Sequence, residues 1–309
     1  MKFKFTLLML LGLIVLAAGC MSTPTGAEQE TILVGGATGR QGNAVVDELL
    51  ARGYRVRGLT RKPDGKKALA LKSRGVEIVQ GDYADMDSLR AAMDGIDRMF
   101  FYSGFSRNEV AEGQNVIAAA KAAGIQQLVY SSGAAAAPEN GLQGASKMQV
   151  EKTLVASGVP YTVIRPVAFL ENFDRQKARF ANKGIIDSRD PDRVLHFIAI
   201  DDIGFLVAEA FDDPDQWLNT AVNVAGDRMT VAEYVDTYST VMGREIIYTQ
   251  MPLEDYLATM PKPLRPLFRW YDEVGYEADV DALRARYPNL ITLDAYLRAT
   301  GWENWQATN

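Results

Sequence analysis

The sequence predicts an α/β fold, a doubly wound parallel sheet carrying a smaller C-terminal α+β lobe. Three observations predict it. Short β-branched runs alternate with amphipathic helical stretches from residue 31 to residue 166. The first of these runs stops at a cluster of glycines that opens a helix. The composition, 309 residues with 48% hydrophobic and 23% charged side chains and a mean hydropathy of −0.10, suits a chain that buries a large core.

The elements follow in order. Residues 31–35 (TILVG) are apolar and end in glycine, a strand running into a turn. Residues 43–52 set Val45, Val46, Leu49 and Leu50 on one helical face. Further strands are predicted over 54–59, 76–79, 98–102, 127–130 and 161–164, with helices over 66–73, 88–93, 110–123 and 146–157 between them. After Arg165-Pro166 the rhythm loosens. Strands are predicted at 194–200, 222–224 and 245–250 and helices at 203–211 and 231–242, while Pro261, Pro263 and Pro266 mark an irregular connection. Residues 31–166 therefore form the sheet domain, and 167–309 a C-terminal lobe interleaved with it.

Charge and rare residues exclude several classes. A formal charge of −6 and a pI of about 5.1, with no Lys/Arg block, argue against a nucleic-acid partner. One histidine, His196, and one cysteine, Cys20, exclude an intramolecular disulfide and predict no metal site. Residues 1–20 read as a secretory signal: Lys2 and Lys4 precede an apolar run at 7–18 that is short for a membrane span. Leu16-Ala17-Ala18-Gly19-Cys20 resembles a bacterial lipobox, so Cys20 is the expected lipidation site and 21–30 a tether. The expected location is a membrane-anchored lipoprotein on the extracytoplasmic side, or the cytoplasm if translation starts at Met21.

Gly36, Ala37, Thr38, Gly39, Arg40, Gln41 and Gly42 follow the first strand directly. A diphosphate must approach backbone N–H groups and a helix N-terminus closely, and β-carbons at the glycines would block it. The candidate cofactor contacts here are Gly36, Thr38, Gly39, Arg40, Gln41 and Gly42. An NAD site needs a carboxylate at the end of the second strand, but this chain has Thr60-Arg61-Lys62 there. Arg61 can hold a 2′-phosphate bidentately, with Lys62 beside it, so NADP(H) is favoured over NAD(H). The plainer alternative is a pair of solvated loop cations. Asp82 and Tyr83 follow the third strand, where the adenine ring would lie; Asp82 could equally cap a helix.

Together these motifs resemble the NmrA-like branch of the atypical short-chain dehydrogenase/reductases. The marks are GATGRQG at 36–42, LTRKP at 59–63, QGDYAD at 80–85, YSSG at 130–133, SKMQVEKTLVASGVPYTVIRP at 146–166, FLENF at 169–173, DDIG at 201–204 and GDRMTVAEY at 226–234. The resemblance implies a Rossmann fold, NAD(P) binding and a C-terminal lobe that closes over the nicotinamide. It also implies roles for Ser131 at the pocket, Pro166 behind the nicotinamide and Asn172 at the substrate opening. Ser103, with Tyr102 and Phe105, could line the cleft or simply pack. Standard relatives use Tyr-x-x-x-Lys. Here Lys147 holds the lysine position and Gln143 replaces the tyrosine, and an amide is no general acid near neutral pH. Lys147 could act alone, or could be an ordinary surface lysine paired with Glu151 four residues on. His196 has no acid partner in sequence and reads as structural. The expected activity is NADPH-dependent reduction of a quinone or conjugated carbonyl compound as small-molecule substrate. The alternatives are an NADP(H) redox sensor with a protein partner, or a membrane-tethered scaffold.

Overall fold

The structure is a computed structural model that describes residues 30–104, 107–136, 141–303 and 305, with the side chains of 141–143 outside the description. The first half alternates as its periodicity demands: β1 (Thr31–Gly35), α1 (Arg40–Ala51), β2 (Arg55–Thr60), α2 (Lys66–Lys72), β3 (Glu77–Gln80), α3 (Met86–Met93), β4 (Arg98–Tyr102), α4 (Glu109–Ala123), β5 (Gln127–Ser131), α5 (Gly141–Ser157) and β6 (Tyr161–Pro166). The second half contains β7 (Ala168–Phe169), α6 (Lys177–Lys183), β8 (Ile185–Asp187), β9 (Val194–Ile198), α7 (Ile200–Asp212), α8 (Pro214–Trp217), β10 (Thr220–Val224), β11 (Asp227–Thr230), α9 (Val231–Met242), β12 (Tyr248–Gln250), α10 (Leu253–Ala258), α11 (Arg265–Glu273), α12 (Val280–Arg286) and α13 (Leu293–Ala299).

The central sheet has seven strands in the order β10-β6-β5-β4-β1-β2-β3, every pair parallel. Strands buried on both faces need no polar alternation, which is why β5 is buried along its whole length. From β1 the chain builds outward to β3 and then crosses back to lay β4 on the other side of β1. The reversal leaves a crevice beyond the carboxyl ends of β1 and β4, the usual ligand position in such sheets. One face is packed by α1 and α7, where a β-carbon at Gly204 would come within 2.6 Å of the Ala44 carbonyl oxygen. Only glycine allows the two helices to approach so closely.

The second lobe carries a small sheet, β11-β9-β7, and a cluster of aromatic rings. Phe180, Tyr238 and the fully buried Trp302 meet edge to face or tilted, with centroids 4.9–6.0 Å apart. The proline-marked segment is more regular than expected. Pro266 lies in the first turn of α11, where its missing N–H costs nothing. The strand predicted at 245–250 shortens to β12, which pairs with only three residues of β8.

Asp202, in the first turn of α7, is buried and accepts the Ile291 N–H at 2.9 Å. Burial, aided by Asp201 and Glu171, pushes its carboxyl up to about 7. A carboxyl that holds its proton more tightly when folded stabilises the fold at low pH. That contribution is lost as pH rises from the unfolded value near 3.9 to about 7. Melting curves between pH 4 and 7 should therefore show wild type losing on the order of 1–3 kcal/mol relative to Asp202→Asn. A difference independent of pH would contradict this reading of Asp202.

Candidate functional site

The glycine turn is built by close approach. Gly36 has φ +65°, a left-handed conformation, and its carbonyl accepts the Gly39 N–H at 2.8 Å. A β-carbon at Gly39 would lie 1.9 Å from Tyr102 Oη, and one at Gly42 would lie 2.3 Å from the Gly36 carbonyl oxygen. Among the described residues no side chain caps α1, so its first N–H groups are left for an anion. The Gln41 side chain accepts from Ser131 Oγ at 2.7 Å, tying β5 to α1. Arg40 is exposed and lines the adjoining cavity.

The rim beyond β2 is cationic. Arg61 is exposed and makes no hydrogen bond or ion pair with any described residue. Lys62 is exposed too, its backbone N–H donating to Thr60 Oγ1 at 3.2 Å. Lys67, which the motifs did not single out, reaches from α2 to the Thr38 carbonyl at 3.4 Å. The available signal was its place in the first turn of the helix that follows Arg61 and Lys62. Asp82 Oδ1 accepts the Ala84 N–H at 3.0 Å in a local turn. The Tyr83 hydroxyl is buried toward Gly35 and has no partner among the described residues; burial raises its proton affinity far above the ordinary phenol range.

The partner of Lys147 is not the one that spacing suggested. Lys147 Nζ lies 2.9 Å from Oε1 of Glu109, the first residue of α4. Glu151 instead binds Arg165 on β6, whose Nε stands 3.1 Å away. Spacing of four residues puts Lys147 and Glu151 on one helical face, but each meets a better placed partner across the packing. The Glu109 carboxylate is 2% exposed and the Lys147 side chain 12%. Ser103 Oγ donates to Glu109 Oε1 at 2.6 Å and shares a bond with Tyr130 Oη at 2.9 Å, while Ser146 Oγ donates to Glu109 Oε2. Burial drives the Tyr130 hydroxyl well above its usual range. A buried ion pair is tolerated where its remaining hydrogen bonds are met, as they are here.

Lys147, Arg40, Pro166 and Asn172 line one cavity of about 690 Å³ that continues into the second lobe. Ser103 and Ser131 are buried and are not among its lining residues; their hydroxyls donate to Glu109 and to Gln41. His196, on β9, also lines the cavity; burial and then Arg228 hold its imidazole below the ordinary value. Gln143 lies on α5 one turn before Lys147, with its side chain outside the description, while Phe105 and Cys20 lie outside the described residues. Among the described residues, no group of three His, Cys, Asp or Glu could hold a metal ion.

The profile of the NmrA-like family matches residues 28–297. An NmrA-like family domain-containing oxidoreductase of Aspergillus japonicus is 29% identical over 273 residues, 78% of this chain and 82% of the relative. An NAD(P)H azoreductase of Xenophilus azovorans is 30% identical over 229 residues, 72% and 78% of the two chains. Among solved structures, an NADPH-dependent quinone oxidoreductase of Escherichia coli complexed with NADPH shares the fold. Its TM-score is 0.77 at 23% identity, over 87% of this chain and 99% of that one.

Proposed function

Because the chain belongs to the NmrA-like family, we propose that it is an NADPH-dependent reductase of a quinone or conjugated carbonyl compound. The observation that carries this reading is Lys147, fixed by buried Glu109 on the same cavity that Arg40 and Asn172 line. The azoreductase and quinone reductase relatives support the oxidoreductase class.

The turn fits a dinucleotide, because its glycines leave room that β-carbons would fill and α1 begins without a side-chain cap. Its N–H groups would hold the diphosphate, and Arg61, Lys62 and Lys67 a 2′-phosphate. NADPH, when bound, supplies a hydride. Reduction of a quinone also takes up a proton, and Lys147 Nζ, on the cavity, can deliver it. The Asn172 amide can donate to the acceptor's oxygen, and the apolar walls exclude water.

NADPH absorbance followed across benzoquinones and naphthoquinones should show turnover. No turnover with the cofactor bound would overturn the proposal. The sensor reading, motivated by Gln143, would then be favoured if NADP⁺ and NADPH bind with unequal affinity. Arg61→Ala should weaken NADPH binding roughly tenfold to a hundredfold, as loss of a charged hydrogen-bond pair does, and leave NADH nearly unchanged by calorimetry. Equal losses for both cofactors would remove Arg61 from the phosphate site.

Attachment to a membrane through lipid on Cys20 is also proposed, supported by the lipobox resemblance at residues 16–20. No helix among the described residues is long and apolar enough to cross a membrane. Mass spectrometry of the mature N-terminus should find diacylglycerol-modified Cys20; a terminus at Met21 or Ser22 refutes it.

A further inference from the structure

The cavity does not end at the cofactor cleft. Its far part lies in the second lobe, where Arg189 follows β8 among the aromatic side chains of Tyr234, Tyr256 and Tyr271. Asp187 holds this arginine in one pose. The carboxylate takes Nε at 2.9 Å and also takes Nη2, while the N–H groups of Ser188 and Arg189 donate to Oδ1 at 2.7 and 3.2 Å. The paired carboxylate holds the guanidinium proton more tightly than usual, against the opposing effect of burial. The fork is therefore permanently charged and locally immobile.

One edge of the guanidinium is left over. Nη1 makes no hydrogen bond with any described residue, although the side chain keeps 24% of its surface and lines the cavity. On a residue that lines a largely apolar cavity, a donor without a protein acceptor is a place where a ligand oxygen gains most. The kind of oxygen follows from the charges nearby. Asp187 compensates Arg189 directly, Asp272 acts on both Tyr248 and Tyr256, which feel the guanidinium, and Asp190 acts on Tyr248. These three carboxylates outnumber Arg189 and Arg179, the second cation near Tyr256. The subsite has no surplus positive charge, so it favours a carbonyl or hydroxyl over a phosphate or sulfonate.

Size points the same way. A cavity of roughly 150 Å³ accommodates one benzene ring, and this one measures about 690 Å³. A nicotinamide with a single-ring acceptor would leave much of it empty.

We propose that Arg189 is a second oxygen-recognition point, and that the acceptor is a planar compound of two or more rings with a neutral oxygen on the ring remote from the reduced one. The inference deepens the reductase reading and rests on it for the word acceptor. The subsite itself rests only on Arg189, Asp187 and the cavity.

The test uses a matched pair of probes, 6-hydroxy-1,4-naphthoquinone and 6-methyl-1,4-naphthoquinone, on the full chain with NADP⁺ or NADPH. Binding is read by quenching of tryptophan fluorescence and turnover by NADPH absorbance. Wild type should prefer the hydroxylated probe, and Arg189→Met should reduce that preference about tenfold or more, since an unmade bond to a buried charged donor is worth at least that. The methyl probe should change by less than about twofold. Arg189→Met strands Asp187, so the paired Asp187→Asn, Arg189→Met variant removes both charges and should give the same result. Equal losses for both probes, no change in preference, or no binding of either probe to wild type would overturn the proposal. An Arg189-dependent binding preference without turnover would leave the subsite standing and overturn the reductase reading instead.

Discussion

Glu109→Gln is expected to lower the melting temperature by roughly 5 °C, the equivalent of about 3 kcal/mol in a chain of this size. The substitution replaces the carboxylate 2.9 Å from the Lys147 ammonium by a neutral amide inside a packed region, where a charge that loses its carboxylate is costly. Lys147→Met strands the carboxylate in the same way and should lose a similar amount. The double variant removes both charges and should recover most of the stability lost by either single one. Activity separates from stability at this pair. Lys147→Met should cost roughly a hundredfold or more in quinone turnover, the usual worth of a positioned proton donor, and the double variant should not regain it. A double variant less stable than both singles, or one as active as wild type, would remove the pair from this role. Thermal melts and steady-state turnover of the three variants are the measurements.

The second large effect is expected at Gly42. Its added β-carbon would meet the Gly36 carbonyl oxygen at 2.3 Å, the Gly36 carbonyl carbon at 2.7 Å and the Ala37 α-carbon at 2.9 Å. All three are backbone atoms, so α1 must shift away from the turn. Gly42→Ala should cost about 1–3 kcal/mol of stability, as overpacking does. It should also weaken NADPH binding by on the order of a hundredfold, because the N–H groups of the turn and the helix lose their common focus. Gly39 differs in kind. Its β-carbon would meet Tyr102 Oη at 1.9 Å, a side-chain atom. Gly39→Ala should therefore be partly rescued by Tyr102→Phe, whereas no side-chain change rescues Gly42→Ala. Calorimetric NADPH titrations and thermal melts of these variants check both expectations, and a Gly42→Ala protein that binds NADPH normally would contradict the steric argument.

The sheet domain was legible because its signals are local. β1 and β4 occupy the residues their apolar runs predict, and β5 extends one residue further, to Ser131. Periodicity identifies which face of a strand or helix is buried, and glycine identifies where a β-carbon will not fit. The second half was less legible. α10, α11, α12 and α13 are short, from six to nine residues; α10 and α11 face the cavity, and α13 packs on α9. Short helices carry little of their own stability, so their sequence pattern is weak. Tyr83 shows the limit at a single residue. Its position after β3 was readable, but not that its hydroxyl turns inward beneath Gly35.

By itself the sequence determined the order of strands and helices from β1 to β6, the glycine turn after β1, the cationic end of β2 and the resemblance to a family that the profile match bears out. Each rests on interactions within a turn or two of chain, where residue type alone decides the outcome. Tertiary structure decided everything that depends on who meets whom across the fold. It brought β10 into the sheet beside β6, gave Lys147 to Glu109 and Glu151 to Arg165, and opened the cavity from the cofactor cleft to Arg189. The residues of the Glu109 pair are 38 positions apart. At such separations a charge finds its partner through the packing register of whole elements, and no spacing rule along the chain carries that information.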